Sequence, residues 1–392
     1  MTHTATVTLP GADYPEIRDG VRRICADFPG SYWRDLDERD AYPTDFVQAM
    51  TQAGYLAALI PQEYGGAGLP LRAAGVVLEE IHACGGNASA THAQMYTMGT
   101  LLRHGSQTQK ETYLPQIAAG TLRLQAFGVS EPTSGTDTTR LKTRAVRDGD
   151  SYVVNGQKIW TSRALHSDLM LLLARTTPLE EVERRTDGLS VFLVDMRETV
   201  GNGMTIRPIK VMINHNTTEV FFDNMRIPAS SLVGQEGKGL RHIMDGMNAE
   251  RILVSHESIG DAKWFTRAGV RYANDRVVFN RPIGQNQGIQ FPIAKAYAAA
   301  QAAELMVCHA SEMFEAGMPC GEQANLAKLL SSEAAWEAAE ACMQTFGGFG
   351  YAREYDVERK WRECRVQRTA PISTNLILSY VAEHVLGLPR SY

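Results

Sequence analysis

Apolar residues recur at helical spacing over both ends of the chain and at strand spacing across its middle. Over residues 13–125 the pattern predicts helices at 14–27, 43–53, 71–84, 88–104 and 107–119. The stretch LIPQEYGGAGLPL (59–71) breaks that spacing with proline and glycine and predicts a turn-rich loop. From 126 to 235 the period shortens. YVVNGQKIW (152–160) places Asn155-Gly156 between β-forming residues and predicts a hairpin there. LMLLLAR (169–175), LSVFLVDM (189–196), MTIRPIK (204–210) and EVFFDNMRIP (219–228) predict further strands. Loops with Gly, Asp and Asn separate them, as in an antiparallel barrel or sandwich. Helical spacing returns at 238–274, 287–316, 321–345 and 374–386, and its Ala-rich stretches suit a helical bundle. The layout is α, then β, then α, with domains expected at 1–125, 126–236 and 237–392. Residues 1–12 are expected to be disordered.

One helical stretch breaks its own pattern. In GLRHIMDGMNAERILVSHESIG (239–260), Leu240, Ile243, Met247 and Val254 form an apolar stripe, and Glu250 falls on it beside Arg251. A carboxylate on an apolar face is costly unless paired or neutralised. Glu250 is therefore either an ion-pair member or a working acid or base.

Composition narrows the function classes. A net charge of −5 gives no pull toward nucleic acid or an anionic membrane. The six cysteines are scattered with no CxxC pair, which points to reduced thiols in a cytoplasmic protein and away from zinc. The N-terminus lacks the apolar core of a secretory signal, and no apolar run is long enough to span a membrane. GxGxxG after a strand, GxxxxGK[ST], HExxH and GxSxG are all missing, and no metal site is expected.

Four segments carry candidate chemistry. QAFGVSEPTSGTD (125–137) offers small residues and hydroxyls that let a flat polar ligand approach, though it also reads as a domain-linking loop. NGQKIWTSRA (155–164) places a Trp and hydroxyls at a strand end, fit either to stack on a ring system or to sit in a core. RVVFNRPIGQNQGIQ (276–290) sets arginines before a helix start, which suits a phosphate or is simply a solvated basic loop. QTFGGFGYAREY (344–355) has close glycines after a long helix, a ligand approach or a glycine stop.

In this order, these segments and IPQEYGGAG resemble the acyl-CoA dehydrogenase family of flavoproteins over nearly the whole chain. FFDNMRIPASSLVGQEGKGL resembles the family's passage from its β domain to its C-terminal bundle. The resemblance implies an α+β multidomain fold: an N-terminal helical domain, a central antiparallel β-barrel and a C-terminal four-helix bundle, assembled as a homotetramer. It implies FAD as cofactor, an acyl-CoA as substrate and an electron-transfer flavoprotein as electron acceptor. Phe127, Val129 and Ser130 would line the flavin ring, with Trp160 and Ser162 packing against it. Arg276, Phe279 and Gln287 would meet the pyrophosphate and adenosine part of FAD, from a neighbouring subunit, and Gln344, Gly347 and Gly348 would meet FAD along the same interface. Ser373 and Asn375 match further FAD-contacting positions. Thr136, Asn248 and Arg251 would face CoA.

The implied reaction is α,β-dehydrogenation: a carboxylate takes a Cα proton while hydride leaves Cβ for the flavin. Many family members carry that base just before the last helix, where this chain has Pro371 and no Asp or Glu between Glu363 and Glu383. The isovaleryl-CoA and long-chain types place it on the first bundle helix before an Arg, the position of Glu250 here, where apolar neighbours would raise its pKa. Proline also lacks the N–H that would help hold the thioester carbonyl, so Ala370 or Ile372 is expected to donate instead, or a flavin hydroxyl carries it. The alternatives are a flavin oxidase or monooxygenase of the same fold, and a non-catalytic FAD- or acyl-CoA-binding protein.

Overall fold

The computed structural model of the protein describes residues 11–391, so the expected disorder at 1–12 falls mostly outside the described residues. Six helices come first: α1 (Pro15–Ala26), α2 (Gly30–Glu38), α3 (Thr44–Gln52), α4 (Leu71–Ala83), α5 (Ser89–His104) and α6 (Gln107–Ala118). The start of α6 is fixed by its sequence: Ser106 and Gln109 form a reciprocal capping box, each side chain accepting from the other's backbone N–H. Strands β1 (Leu124–Gly128), β2 (Arg144–Asp148), β3 (Ser151–Ser162), β4 (Leu169–Arg175) and β5 (Leu189–Asp195) follow. After the short helix α7 (Met196–Thr199) come β6 (Met204–Pro208), β7 (Thr217–Pro228) and β8 (Leu232–Val233). The long helix α8 (Gly239–Asp275) leads to the hairpin of β9 (Val277–Val278) and β10 (Arg281–Pro282). The chain ends with α9 (Gln287–Glu315), α10 (Gly321–Phe346), α11 (Val357–Val366) and α12 (Thr374–Tyr380). Helix α12 gives way to a π turn at Val381–Val385, so the helix predicted to 386 does not stay α-helical.

The chain divides into two compact units. One holds residues up to Asp35, Pro70–Ala88 and the chain from Asn248 onward; the other holds Leu36–Leu69 and Ser89–Met247. The first unit is helical apart from the β9–β10 hairpin. Its helices α9 and α10 pack together through buried alanines, among them Ala296, Ala300 and Ala303 on α9 and Ala327, Ala334 and Ala338 on α10. Small side chains let the two backbones approach closely.

The second unit carries the sheet, in the order β6-β7-β3-β2-β4-β5-β8 with β1 paired to β4. This corrects the expected barrel: among the described residues the sheet is open, with β6 and β8 at its ends. Two halves meet where β2 and β4 share a single pairing, Arg144 opposite Arg175. The sheet is also not wholly antiparallel, since β1 runs parallel to β4. Both faces of β4 are buried. Leu169, Leu171 and Leu173 join one core, and Met170, Leu172 and Ala174 join the other. That explains the unbroken apolar run of β4.

The hairpin expected at Asn155-Gly156 is a second correction. Both residues lie inside β3, and the turn into β3 falls earlier, at Gly149-Asp150. Gly156 marks a register shift against β7, with φ +148°, and a Cβ there would press on the Thr143 backbone. Asn-Gly supplies a bulge and a close approach instead of a turn.

Candidate functional site

The expected ring-lining residues of the second unit do come together. Phe127 lies next to the end of β1, and Val129 and Ser130 follow the strand, all three half-buried. The Ser130 carbonyl accepts from the Ile159 N–H at 2.9 Å, which sets the loop beside the end of β3 and next to Trp160. Trp160 sits in the left-handed region at φ +62°, in a second register shift of β3, and its side chain stays 58% exposed. A large aromatic left exposed and held by a strained backbone is prepared for a ligand face. Ser162 is half-buried, its hydroxyl 3.3 Å from the Thr217 hydroxyl. Thr136 is exposed further along the loop.

Two residues that carry this arrangement were missed from sequence. Lys158 and Glu131 form a buried ion pair at 2.9 Å, and Lys158 also donates to the Val129 carbonyl at 2.9 Å. The Glu131 carboxylate accepts from the N–H groups of Lys142 (2.7 Å) and Thr143 (2.8 Å) as well. Burial pushes the Lys158 pKa down to about 8 against the pull of Glu131. Burial would raise Glu131, but Lys158 and the two N–H donors hold it below the usual range. The pair locks the loop onto β3. A lysine in EPT…NGQK reads as surface; only the 27-residue separation from Glu131, closed by the fold, shows its role.

The helical unit holds the remaining residues. Glu250 lies on α8 at 8% exposure, next to buried Ile252, Leu253 and Val254. Arg251 is also buried and donates to the Asn248 side-chain oxygen at 2.9 Å, while its Nε has no partner. Burial lowers the Arg251 pKa, with Glu250 and then Tyr380 opposing that shift. Nearby in charge, Lys328 of α10 is 1% exposed and donates to the Ile372 carbonyl at 2.7 Å. Burial pushes its pKa down to about 8, with Glu333 opposing and Arg251 and Arg368 adding to the fall. Lys328 thus ties α10 to the segment that carries Ser373 and Asn375. Ser373 caps α12 through the Leu376 N–H, and Asn375 is exposed.

A third group sits at the far ends of α8 and α10. The Arg276 guanidinium lies 5.6 Å over the Phe349 ring, which brings it to the turn of Gly347 and Gly348. Gly347 has φ +59°, and a Cβ on either glycine would meet nothing within 4 Å. Phe279 is 94% exposed at the hairpin tip, and Gln287 opens α9. Gln344 lines an open hollow of ≈ 620 Å³ together with Phe291, Pro292 and Lys295.

A helix–sheet–helix chain with a locked ring-side loop, an exposed tryptophan and a buried carboxylate on a bundle helix has the makings of a flavin-type oxidoreductase. Residues 12–121, 126–225 and 237–386 match the family's N-terminal, middle and C-terminal domains. The chain belongs to the acyl-CoA dehydrogenase family, a family of oxidoreductases that use flavin. It is 32% identical over 355 residues to an acyl-CoA dehydrogenase of Bacillus subtilis, covering 90% of this chain and 92% of that one. It is 30% identical over 394 residues to acyl-CoA dehydrogenase fadE12 of Mycobacterium bovis, covering 99% and 100%. A solved structure described as the electron transferring flavoprotein of Acidaminococcus fermentans superposes with a TM-score of 0.89 at 27% identity, covering 98% of this chain and 100% of that one. No described helix is long and apolar enough to cross a membrane.

Proposed function

We propose that the chain catalyses FAD-dependent α,β-dehydrogenation of an acyl-CoA thioester, with Glu250 removing the Cα proton. The observation that carries this reading is Glu250 buried at 8% exposure on α8 in a chain with no carboxylate from 364 to 382. A Cα proton beside a thioester is a weak acid, so its base must be close and shielded from water. Leu253 and Val254, three and four residues on, supply buried apolar neighbours on the same face of the helix.

The residues present fit FAD. Trp160 and Phe279 offer exposed aromatic faces, and Arg276 brings positive charge to a glycine turn with open space over Gly347 and Gly348. Phe127, Val129, Ser130, Trp160 and Ser162 would hold the ring. Arg276, Phe279, Gln287, Gln344, Gly347 and Gly348 would hold the dinucleotide, from a neighbouring chain of a homotetramer. Ser373 and Asn375 would add contacts from α12. Bound FAD supplies an acceptor for the Cβ hydride, and an electron-transfer flavoprotein would take the electrons onward. Thr136, Asn248 and Arg251 would orient the CoA part. Ala370 already gives its N–H to the Val366 carbonyl at 2.9 Å, so Ile372 would donate to the thioester carbonyl, or a flavin hydroxyl would carry it. The domains would run 1–125, 126–236 and 237–392.

Anaerobic addition of acyl-CoA should bleach the flavin of the wild type. Glu250→Gln should keep its flavin and lose the bleaching rate by about 10²–10⁴-fold, the usual worth of a general base. Near-normal bleaching in that variant would remove Glu250 from the role.

A further inference from the structure

The six cysteines are scattered in sequence, but the fold sets two of them side by side. Helices α1 and α4, both in the helical unit, pack together and run in the same direction. A seam of ion pairs fixes that direction. Arg72, at the start of α4, donates to Asp13 just before α1 at 2.7 Å. Further along, Arg18 donates to Glu79 at 2.8 Å and to Glu80 at 2.7 Å, and Arg22 donates to Glu80 at 2.9 Å. Partners along the seam stand 59, 61, 62 and 58 residues apart in the chain. Cys25 and Cys84 keep that offset and close the seam at its far end. Each lies one helical turn beyond the Arg22–Glu80 bridge, and so on the bridged face of its helix. The two thiols share a hydrogen bond.

The surroundings of the two sulfurs differ. Cys25 is buried in the last turn of α1, whereas Cys84 directly follows α4 and is exposed. Arg267 of α8 donates to the Ala83 carbonyl and Arg359 of α11 to the Gly85 carbonyl at 2.9 Å, so guanidinium groups hold the backbone on both sides of Cys84. The hydrogen bond with Cys25 lowers the Cys84 pKa, with burial and Glu80 opposing and Arg267 and Arg22 adding to the fall. The same bond, and then burial, push Cys25 up, so the shared proton stays on Cys25. Elsewhere burial keeps the thiols protonated: it pushes Cys308 and Cys342 up to about 12 and raises Cys320 and Cys364 as well. An exposed thiolate beside arginines is the reactive form of cysteine, and a buried thiol is inert.

We propose that Cys84 and Cys25 form a peroxide-sensitive thiol pair, with Cys84 the attacking sulfur and Cys25 the resolving one. The Cys84 thiolate attacks one oxygen of the peroxide. An S–O bond forms, the O–O bond breaks, and the departing hydroxide takes a proton from solvent and leaves as water. The Cys25 sulfur then attacks the Cys84 sulfenic acid. The S–S bond forms, the S–O bond breaks, and the departing hydroxide takes the Cys25 proton. Two thiols lose two electrons, and one peroxide becomes two waters. The disulfide ties α1 to α4 at the end of their seam, and a dithiol reductant reverses it. The step uses none of the residues assigned to the flavin or the thioester, so it does not depend on the dehydrogenase reading.

The test treats the full chain with hydrogen peroxide in small molar excess and then alkylates it, as wild type, Cys25→Ser and Cys84→Ser. Trypsin places Cys25 and Cys84 on separate peptides with no other cysteine, so non-reducing mass mapping reads the bond directly. The wild type should yield the Cys25–Cys84 cross-linked peptide, which dithiothreitol removes. Cys25→Ser should stop at the Cys84 sulfenic acid, captured by dimedone. Cys84→Ser should keep Cys25 reduced at about tenfold the peroxide dose that half-oxidises the wild type. Thermal midpoints check that both variants fold, and the wild-type map decides alone if they do not. The proposal is overturned if both thiols of the treated wild type remain free to alkylate. It is overturned equally if Cys84 runs on to the sulfinic acid without a cross-link, or if either sulfur bonds a different cysteine.

Discussion

Two buried lysines, one in each compact unit, are held in different ways. Lys158, in the sheet unit, is matched by a carboxylate: Glu131 at 2.9 Å, itself satisfied by two backbone N–H groups. Lys328, in the helical unit, has a backbone carbonyl at 2.7 Å and two arginines raising the local positive potential. Burial lowers both to about 8. The first is a finished structural lock, with charge and hydrogen bonds closed on themselves. The second leaves positive charge and an unpartnered Arg251 Nε beside Glu250. Buried polar groups are normally satisfied, and exceptions cluster where a ligand completes them. The contrast separates a closed ion pair that holds a loop in place from a cluster that keeps positive charge without a paired carboxylate.

The largest expected effect breaks the lock. Lys158→Met leaves the Glu131 carboxylate buried without its cation, which should cost about 3–5 kcal/mol of unfolding free energy and release flavin. Urea unfolding and flavin content measure it; a loss under about 1 kcal/mol would mean the pair does not hold the loop. Next comes the bulge that lets β3 carry both Lys158 and Trp160. Gly156→Ala, at φ +148° against the Thr143 backbone, should cost about 1–3 kcal/mol by the same measurement. The smallest effect sharpens the other half. The Lys328 proton leaves near pH 8 in the folded chain and near 10.5 when unfolded. Between those values the unfolded chain binds more protons, so stability rises with pH across the window. Lys328→Met should flatten that rise by about 1 kcal/mol per pH unit. An unchanged slope would show that Lys328 titrates normally.

The sequence was clearest where one element is long and its period is plain. Helices α5, α8, α9 and α10 and strand β4 fall within a residue or two of the predicted spans. It was misleading where one local signal has two physical outcomes. Asn155-Gly156 fits a hairpin turn and also a bulge, and the close approach of Thr143, which decides between them, comes from 12 residues upstream of Asn155. The barrel failed for a related reason: alternation shows that strands exist, not whether the first and last of them meet. Strand β1 was hidden because QAFG has no alternation and pairs in parallel with a distant partner. The candidate residues were named from motif order, whereas Lys158, Glu131 and Lys328 appear only once chain-distant groups are set together. Helix α2 and helix α11 went unseen, each short and rich in charge or aromatics.

The central claim is that one proton transfer depends on Glu250. It is tested most directly with a saturated acyl-CoA analogue that binds but cannot be oxidised, held on the flavin-loaded protein in D₂O. NMR then follows deuterium entering at Cα, with no electron transfer involved. The wild type should exchange that position, and Glu250→Gln should slow exchange by about 10²-fold or more while binding the analogue equally well. Exchange at the wild-type rate in Glu250→Gln would contradict the account and send the search for the base elsewhere in the chain.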